Sequence, residues 1–417
     1  MKGIEYGVGG KMMTARGTNL PRVKKQNEAL IKEIIYKYGP ISRSKIAEML
    51  SLTPPTITTN VSSLIERGLV YEFAAEDSDV EERSLGRKPI KINFIQDARY
   101  AIGVEMNPYQ MAICMLDLRG NEKISMKYPP MNGVYVEEMD MLARNIDKLI
   151  SESGVDPEKI LGVGMGLPGF VESKVGILRE SFKTGWNNKN IARDLSRRLD
   201  IPVLIENNAR ARAIGEEMFG KTLRPDSFAY YLISYGIACP LFVKNRMITG
   251  ENASAGEAGH MVVDINGPKC ETCGHNGCLE EMASERAILK KCKAAVNDGV
   301  ATMLTELCPD TEELTMKDVL MAEECNDAYV VKVMEEAVMY LGVTLANIIN
   351  LISPPLVIVD GYIMKVKRNR RQLLEETKKH IFGLNDQEIE IEFIDFNPLT
   401  GARGGAALAI KQFFIKE

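Results

Sequence analysis

Residues 201–217 read IPVLIENNARARAIGEE. The apolar run Ile201–Ile205 gives way to the polar pair Asn207 and Asn208, and then to an alanine-rich stretch ending in Glu216 and Glu217. That pattern predicts a strand, a loop and a helix, in that order. Upstream, KILGVGMGLPGFV (159–171) predicts another strand followed by a glycine loop. YAIGVEM (100–106) and MAICMLDL (111–118) predict two strands joined by a turn at Asn107-Pro108, and EKISMKY (122–128) a third. PPLVIVDGYI (354–363) predicts a buried strand near the end of the chain. Strands alternating with helices define an α/β architecture, here expected as two strand-rich lobes around a cleft.

The 417 residues are enough for two or three domains. With 45% hydrophobic and 26% charged residues, the composition is that of a globular protein with a sizeable core. No uninterrupted apolar run has spanning length and the N-terminus lacks an apolar signal core, so the expected location is the cytoplasm. Eight cysteines in such a chain point to thiols or metal ligands, not a disulfide framework. The net charge of −5 is unevenly spread. Residues 1–70 carry 11 Lys/Arg against 5 Asp/Glu, leaving 41 against 52 for the remainder. A basic piece on an acidic body suggests a polyanion-binding module joined to something else.

That basic piece has its own pattern. Residues 1–20 hold five glycines and little periodicity, and predict a tail; its Lys2, Lys11 and Arg16 are within reach of DNA only if it orders. Val23, Asn27, Leu30, Ile31, Ile34 and Tyr38 recur at helical spacing, and Gly39-Pro40 ends that helix. Ser42 is placed to cap a second helix with Ile46, Ala47 and Leu50 inward. Thr53-Pro54 opens a third helix whose buried stripe is Ile57, Val61, Leu64 and Ile65, closed by Gly68. A β-hairpin follows, so the module reads as a winged helix-turn-helix, with DNA as its expected partner. Thr56, Thr58, Thr59, Asn60 and Ser63 are expected on the outward face of the third helix, where small polar side chains approach base edges. Arg43 and Lys45 are expected at phosphate. Residues 72–82 (EFAAEDSDVEE) predict an acidic wing tip or loop. Gly86, Arg87 and Lys88 form a basic point that either enters a minor groove or anchors the linker to phosphate.

His260, Cys270, Cys273 and Cys278 offer one nitrogen and three sulfurs, a donor set suited to tetrahedral zinc. Gly274 and Gly277 allow the tight turns that C-x-x-C-x4-C needs, and His275 is a possible substitute ligand. The other five cysteines are scattered and read as small buried hydrophobes.

Five stretches carry a family resemblance: GLPGFVESKVG (166–176), ENNARARAIGE (206–216), GENASAGEAGHM (250–261), CETCGHNGCLEEMAS (270–284) and the winged-helix segment ISRSKIAEMLSLTPPTITTNVSSLIERGLV (41–70). Over roughly residues 22–417 the chain resembles transcriptional repressors of the ROK family, which has the two-lobed actin/hexokinase-like fold. The resemblance implies a structural zinc whose loop presents sugar-binding side chains. It implies that Glu257, His260 and Glu280 contact sugar hydroxyls, and it places Gly169, Asn207 and Asn208 at the sugar. The family pattern usually has one residue between the first two cysteines, whereas this chain has two.

Sugar kinases of this fold need two glycine-rich phosphate loops and a carboxylate base. Where kinases resemble D-x-G-G-T-K, this chain has Glu105-Met106-Asn107-Pro108-Tyr109-Gln110. Proline has no N–H for a phosphate, and side chains crowd the approach that glycine leaves open. Where they resemble G-T-G-I-G-A-G, it has Ser234-Tyr235-Gly236-Ile237-Ala238-Cys239-Pro240. The adenosine-side glycine triplet becomes Asp360-Gly361-Tyr362, and Asn208 stands at the catalytic aspartate. An amide cannot accept the proton of a sugar hydroxyl. The expectation is therefore a sugar-sensing DNA-binding regulator without kinase activity; the competing reading is an active ATP-dependent sugar kinase with an appended DNA-binding domain. The expected domains are a tail (1–20), a winged helix-turn-helix with linker (21–97) and a ROK domain (98–417). Within the last, the small lobe spans about 98–222 plus the helix about 400–417, and the large lobe about 223–399. A homodimer or homotetramer on double-stranded operator DNA, with a monosaccharide effector and no membrane partner, completes the expectation.

Overall fold

The computed structural model describes residues 20–74, 90–131, 133–181, 184–220, 225–383 and 389–416. Lys2, Lys11, Arg16, Gly86, Arg87 and Lys88, and most of the acidic stretch 72–82, lie outside the described residues. The chain falls into two compact units, Met1–Ile95 with Phe414–Glu417, and Gln96–Phe413.

The first unit contains α1 (Leu20–Tyr38), β1 (Ile41–Ser42), α2 (Arg43–Leu50), α3 (Pro54–Glu66), β2 (Val70–Ala74) and β3 (Ile90–Phe94). The three strands form an antiparallel sheet in the order β1-β3-β2. This is the expected winged helix-turn-helix, with β1 as an additional short strand pairing Ile41 with Ile92. Ser42 caps α2, its hydroxyl accepting from the Lys45 N–H. Thr53 occupies the N-cap position of α3 but bonds the Thr56 hydroxyl, not a backbone N–H. Ile31, Ile35, Ile46, Ile57, Val61, Leu64, Ile92 and Phe94 are buried. Ile35, not assigned to the stripe, is buried, while the assigned Leu30 and Tyr38 are exposed. The inner face of α1 is thus rotated from the one the spacing suggests. Phe414 from the end of the chain joins this unit, edge-on to Phe94 at 5.1 Å and beneath the Lys32 ammonium.

The second unit has two main sheets. The first has the order β11-β7-β4-β5-β6, from β4 (Tyr100–Met106), β5 (Met111–Asp117), β6 (Glu122–Tyr128), β7 (Ile160–Leu167) and β11 (Val203–Asn207). β4, β5 and β6 are antiparallel, and β7 and β11 continue in parallel. A small side sheet combines β8 (Phe170–Glu172), β9 (Ile177–Glu180) and β10 (Asn187–Lys189). α4 (Tyr135–Ser153) and α5 (Ile191–Leu199) pack with the first sheet.

The second main sheet contains β12 (Phe228–Ile233), β13 (Ile237–Ala238), β14 (Leu241–Val243), β15 (Arg246–Ile248), β16 (Leu356–Gly361) and β17 (Glu390–Phe393). Its helices are α7 (Leu279–Ala283), α8 (Glu285–Asn297), α9 (Leu304–Leu307), α10 (Met316–Glu324), α11 (Ala328–Ile352) and α12 (Lys367–His380). α11 has the length and hydropathy of a membrane-crossing helix, yet Val330, Met334, Leu341, Leu345 and Ile349 lie in the lobe core.

α6 (Asn208–Phe219) and α13 (Thr400–Ile410) join the two sheets. α13 lies on β4 and β7 so closely that a Cβ at Gly103 would stand 1.8 Å from the Ala402 carbonyl oxygen. One at Gly164 would stand 2.0 Å from that of Gly405. On the other side, Ala209, Ala213 and Ile214 of α6 and Ala407 of α13 share a core with Phe228, Tyr230 and Ile358. Both lobes therefore meet the helix that begins at Asn208.

Candidate functional site

A cavity of about 170 Å³ opens at the N-terminus of α6. Gly169, Asn207, Asn208, Glu257, His260 and Glu280 all line it, although they come from four separate stretches of chain. Asn207 caps α6: its Oδ1 accepts from Ala209 N and Arg210 N, and its Nδ2 donates to the Gly169 carbonyl at 3.2 Å. Gly169 has φ +111°, and a Cβ there would lie 2.2 Å from the Glu180 carbonyl oxygen. Only glycine lets the loop fold this close to β9.

Glu257 and Glu280 face the cavity with half-buried carboxyl groups. Burial raises the pKa of Glu257, Arg210 and His260 oppose the shift, and Glu280 adds to it. Gly236 and Gly259 leave room for the Glu280 carboxylate, whose Oε2 would meet a Cβ at either position within 3.0 Å. Arg286 ties the outer side of that carboxylate, and also Glu281 and Glu271. Ser181 and Thr272 line the same cavity and were not singled out from the sequence. Ser181 is buried, and its hydroxyl has no hydrogen-bond partner among the described residues. Thr272 is one of the two residues between the first cysteines, so the lengthened motif delivers a side chain to the cavity.

The possible ligand atoms of His260, Cys270, Cys273 and Cys278 all lie within 4.8 Å of one another. His260 Nδ1 is 3.8 Å from Cys270 Sγ, and Cys273 Sγ is 3.4 Å from Cys278 Sγ. Four donors converging at such separations fit a tetrahedral ion. The cluster uses His260 and leaves His275 out. Bridges between Val262 and Cys278 and between Lys269 and Asn276 close the loop, and Gly277 (φ +71°) lets it pass Asp264. Burial disfavours the Cys273 thiolate, but hydrogen bonds from the His275 backbone, Cys278 and Cys270 outweigh it, lowering its pKa to about 6. Cys273 is thus ready to serve as an anionic ligand.

At one wall of the cavity lies a buried ionic network. Arg212 donates from Nε to Glu105 Oε1 at 2.7 Å, from Nη2 to Glu105 Oε2 at 3.0 Å and from Nη1 to Asp360 Oδ2 at 2.7 Å. The Tyr230 hydroxyl donates to the same Asp360 oxygen at 2.7 Å, and Asn107 Nδ2 to Glu105 at 3.1 Å. Burial lowers the pKa of Arg212, but Glu105 and Asp360 more than offset this and hold it well above normal. Nothing in the alternating Arg210 and Arg212 announces this role; only the fold brings residues 105, 212 and 360 together.

In the first unit, Thr58 and Thr59 are exposed on α3 and Thr56 and Ser63 half-buried. Asn60 overturns its expected place: it is 3% exposed, and its Nδ2 donates to the Thr56 carbonyl at 2.8 Å. It lies three residues after Ile57 and four before Leu64, both buried, so helical spacing turns it toward the core. Arg43 braces its neighbours, donating to Glu72 at 2.7 Å and to the Thr58 carbonyl at 3.4 Å. Lys45 pairs with Glu48 on the surface.

A winged helix-turn-helix followed by a two-lobed sugar-kinase-like body defines a two-domain class of protein. The ROK family model matches residues 101–412 and the MarR family model residues 26–77. The chain belongs to the ROK family. It is 30% identical over 344 residues to the xylose repressor of Bacillus subtilis (strain 168), covering 82% of this chain and 84% of the relative. It is 26% identical over 350 residues to the DNA-binding transcriptional dual regulator NagC of Escherichia coli (strain K12), covering 84% of each. Among solved structures, a ROK family transcriptional regulator, a homolog of the E. coli MLC protein, superposes with TM-score 0.80 at 24% identity, covering 94% of this chain and 97% of that one. A ROK family glucokinase from Streptomyces griseus, in complex with glucose and AMPPNP, superposes with TM-score 0.64 at 23% identity, covering 74% and 98%.

Proposed function

We propose that this protein is a sugar-responsive transcriptional regulator, a cytoplasmic repressor of carbohydrate-utilisation genes, in which the kinase chemistry of the fold has been lost. Residues 21–97 bind operator DNA, with Thr56, Thr58, Thr59 and Ser63 toward the bases and Lys45 toward phosphate, while Arg87 and Lys88 either enter a minor groove or anchor the linker to phosphate. Residues 98–417 bind a monosaccharide through Gly169, Asn207, Asn208, Glu257, His260 and Glu280. A homodimer or homotetramer sets two winged helices on the halves of a palindromic site. Sugar binding shifts the protein between two states by its difference in affinity for them.

The observation that carries this reading is the Glu105–Arg212–Asp360 network beside the intact polar cavity. A nucleotide needs N–H groups and open space for its phosphates; buried carboxylates from both lobes repel them. Asn208 hydrogen-bonds a sugar hydroxyl without taking its proton. His260, Cys270, Cys273 and Cys278 would hold a structural zinc, which would neutralise the thiolates and fix the loop carrying Thr272. With Nδ1 beside Cys270, the imidazole keeps its other nitrogen for the sugar.

The test is a thermal-shift series with xylose, glucose and N-acetylglucosamine, each with and without Mg-ATP, followed by binding to DNA fragments selected from the source genome. The expected result is stabilisation by one sugar, no further shift with Mg-ATP, and DNA affinity that changes with that sugar. Consumption of ATP in step with sugar would return the kinase reading.

A further inference from the structure

Next to the sugar cavity lies a larger one of about 450 Å³, sharing Asn107, Arg212, Leu232 and Ser234 with it. Its remaining walls include Asp360, Gly361 and Tyr362 at the end of β16 and the segment 312–317.

The charge is acidic. Glu285, Glu312, Glu313 and Asp360 line the cavity against Arg212 and Lys317. Arg212 is already engaged by Glu105 and Asp360, and Glu312 pairs with Lys293. Glu285 is different. It is 3% exposed, and no ion pair reaches it among the described residues. Its Oε2 accepts from the Tyr109 hydroxyl at 2.7 Å, and its Oε1 has no hydrogen-bond partner among the described residues. Burial pushes its carboxyl up to about 7, Asp360 adding to the shift while Tyr109 and Arg212 oppose it. A buried carboxylate with one free oxygen, lining a cavity, has an unmet demand for a cation or a strong donor.

The opposite walls are apolar. Leu289, Leu314 and Met316 come from the helical side, and Tyr362 and Phe396 stand edge-on with centroids 4.9 Å apart. The Lys365 ammonium lies 4.6 Å from the Tyr362 centroid and 5.3 Å from that of Phe396, so the pair already serves as a cation platform.

We propose that this cavity is a second ligand site, which takes a small organic cation: an ammonium group at Glu285 carried on an apolar or aromatic body between Leu314 and Phe396. The proposal stands apart from the sugar and DNA assignments, because it rests on the lining of this cavity alone.

Isothermal titration of the full-length protein tests it, with tryptamine, tyramine and agmatine as probes and tryptophol as the neutral counterpart of tryptamine. The expected result is saturable binding of at least one cation at about 1 mM or below, with tryptophol about tenfold weaker or worse. Glu285→Gln should remove that preference and keep the fold, since the amide oxygen still accepts from Tyr109. Phe396→Ala, at a partly exposed wall position, should weaken the cation about threefold or more with no core disturbed. Sugar-induced stabilisation should persist in both variants. Failure of every cation to bind the wild type, equal binding of tryptamine and tryptophol, or unchanged tryptamine affinity in both variants would overturn the proposal.

Discussion

Arg212 Nη1 donates to Asp360 Oδ2 across 2.7 Å, although 148 positions of chain separate them. Arg212 belongs to the helix that starts at Asn208, and Asp360 to the last turn of β16 in the other sheet. Because the same guanidinium also holds Glu105, the ends of β4 and β16 are tied through one side chain. The three side chains form a closed joint.

Removing the guanidinium leaves two buried carboxylates facing each other. Arg212→Met should therefore lower the free energy of unfolding by about 3–5 kcal/mol. Asp360→Asn should cost less, because Arg212 keeps Glu105 and Tyr230 can still donate. Urea denaturation of the two variants checks the ranking, and the reverse order would show that the joint carries little of the stability.

Restoring a base is not expected to restore catalysis. Asn208→Asp supplies a carboxylate next to the sugar cavity, but the loop at 105–110 still has no glycine, the loop at 234–240 has only Gly236, and Arg212 still fills the joint. Coupled-assay ADP production should stay at background with every sugar that binds. Sugar-dependent turnover in this single variant would place the loss of activity at Asn208 alone.

Metal removal should act on the sugar cavity. Four converging donors predict about one zinc ion per chain by elemental analysis. Chelation, or Cys273→Ser, should lower the melting temperature and abolish sugar-induced stabilisation, since Thr272, His260 and Glu280 adjoin or belong to the loop. Retained sugar binding in metal-free protein would separate the loop from recognition.

A pH effect follows from Glu285. Its folded-state pKa, about 7, lies above that of an unfolded glutamate, so the folded chain holds a proton that the unfolded chain has released. Stability from this group is therefore present at low pH and lost as pH rises toward 7. Glu285→Gln should be no more stable than wild type near pH 4, and more stable by roughly 2–3 kcal/mol at pH 8. Urea midpoints of the pair across that range check the sign; a constant difference would refute it.

On α3, Thr59→Ala should weaken specific operator binding by about 1 kcal/mol or more and leave sugar binding unchanged. Asn60→Ala should instead lower the stability of the first unit, because its amide serves the Thr56 carbonyl inside the helix packing. Arg43→Ala should do the same through Glu72.

What could be read from the chain divides by sequence distance. The His260/Cys270/Cys273/Cys278 cluster and the turns around Gly169 and Gly277 are local motifs whose residue types declare their chemistry. The winged helix was legible because its caps and glycine stops are also local. Asn60 was misplaced because polarity pointed outward while helix geometry turned it inward. Ile35 was missed because Ile34 fits the same period nearly as well. The Glu105–Arg212–Asp360 joint and the Tyr109–Glu285 bond were invisible, since each is made by residues over a hundred positions apart and only the folded sheets bring them together.

Phe414 sits in the core of the unit that begins the chain, against Phe94 and Lys32. The ring that completes this unit therefore follows its last strand by some three hundred residues, and every one of them must be made before the contact can form. A cut anywhere between Phe94 and Phe414 turns a contact within one chain into a contact between two fragments, which then depends on their concentration.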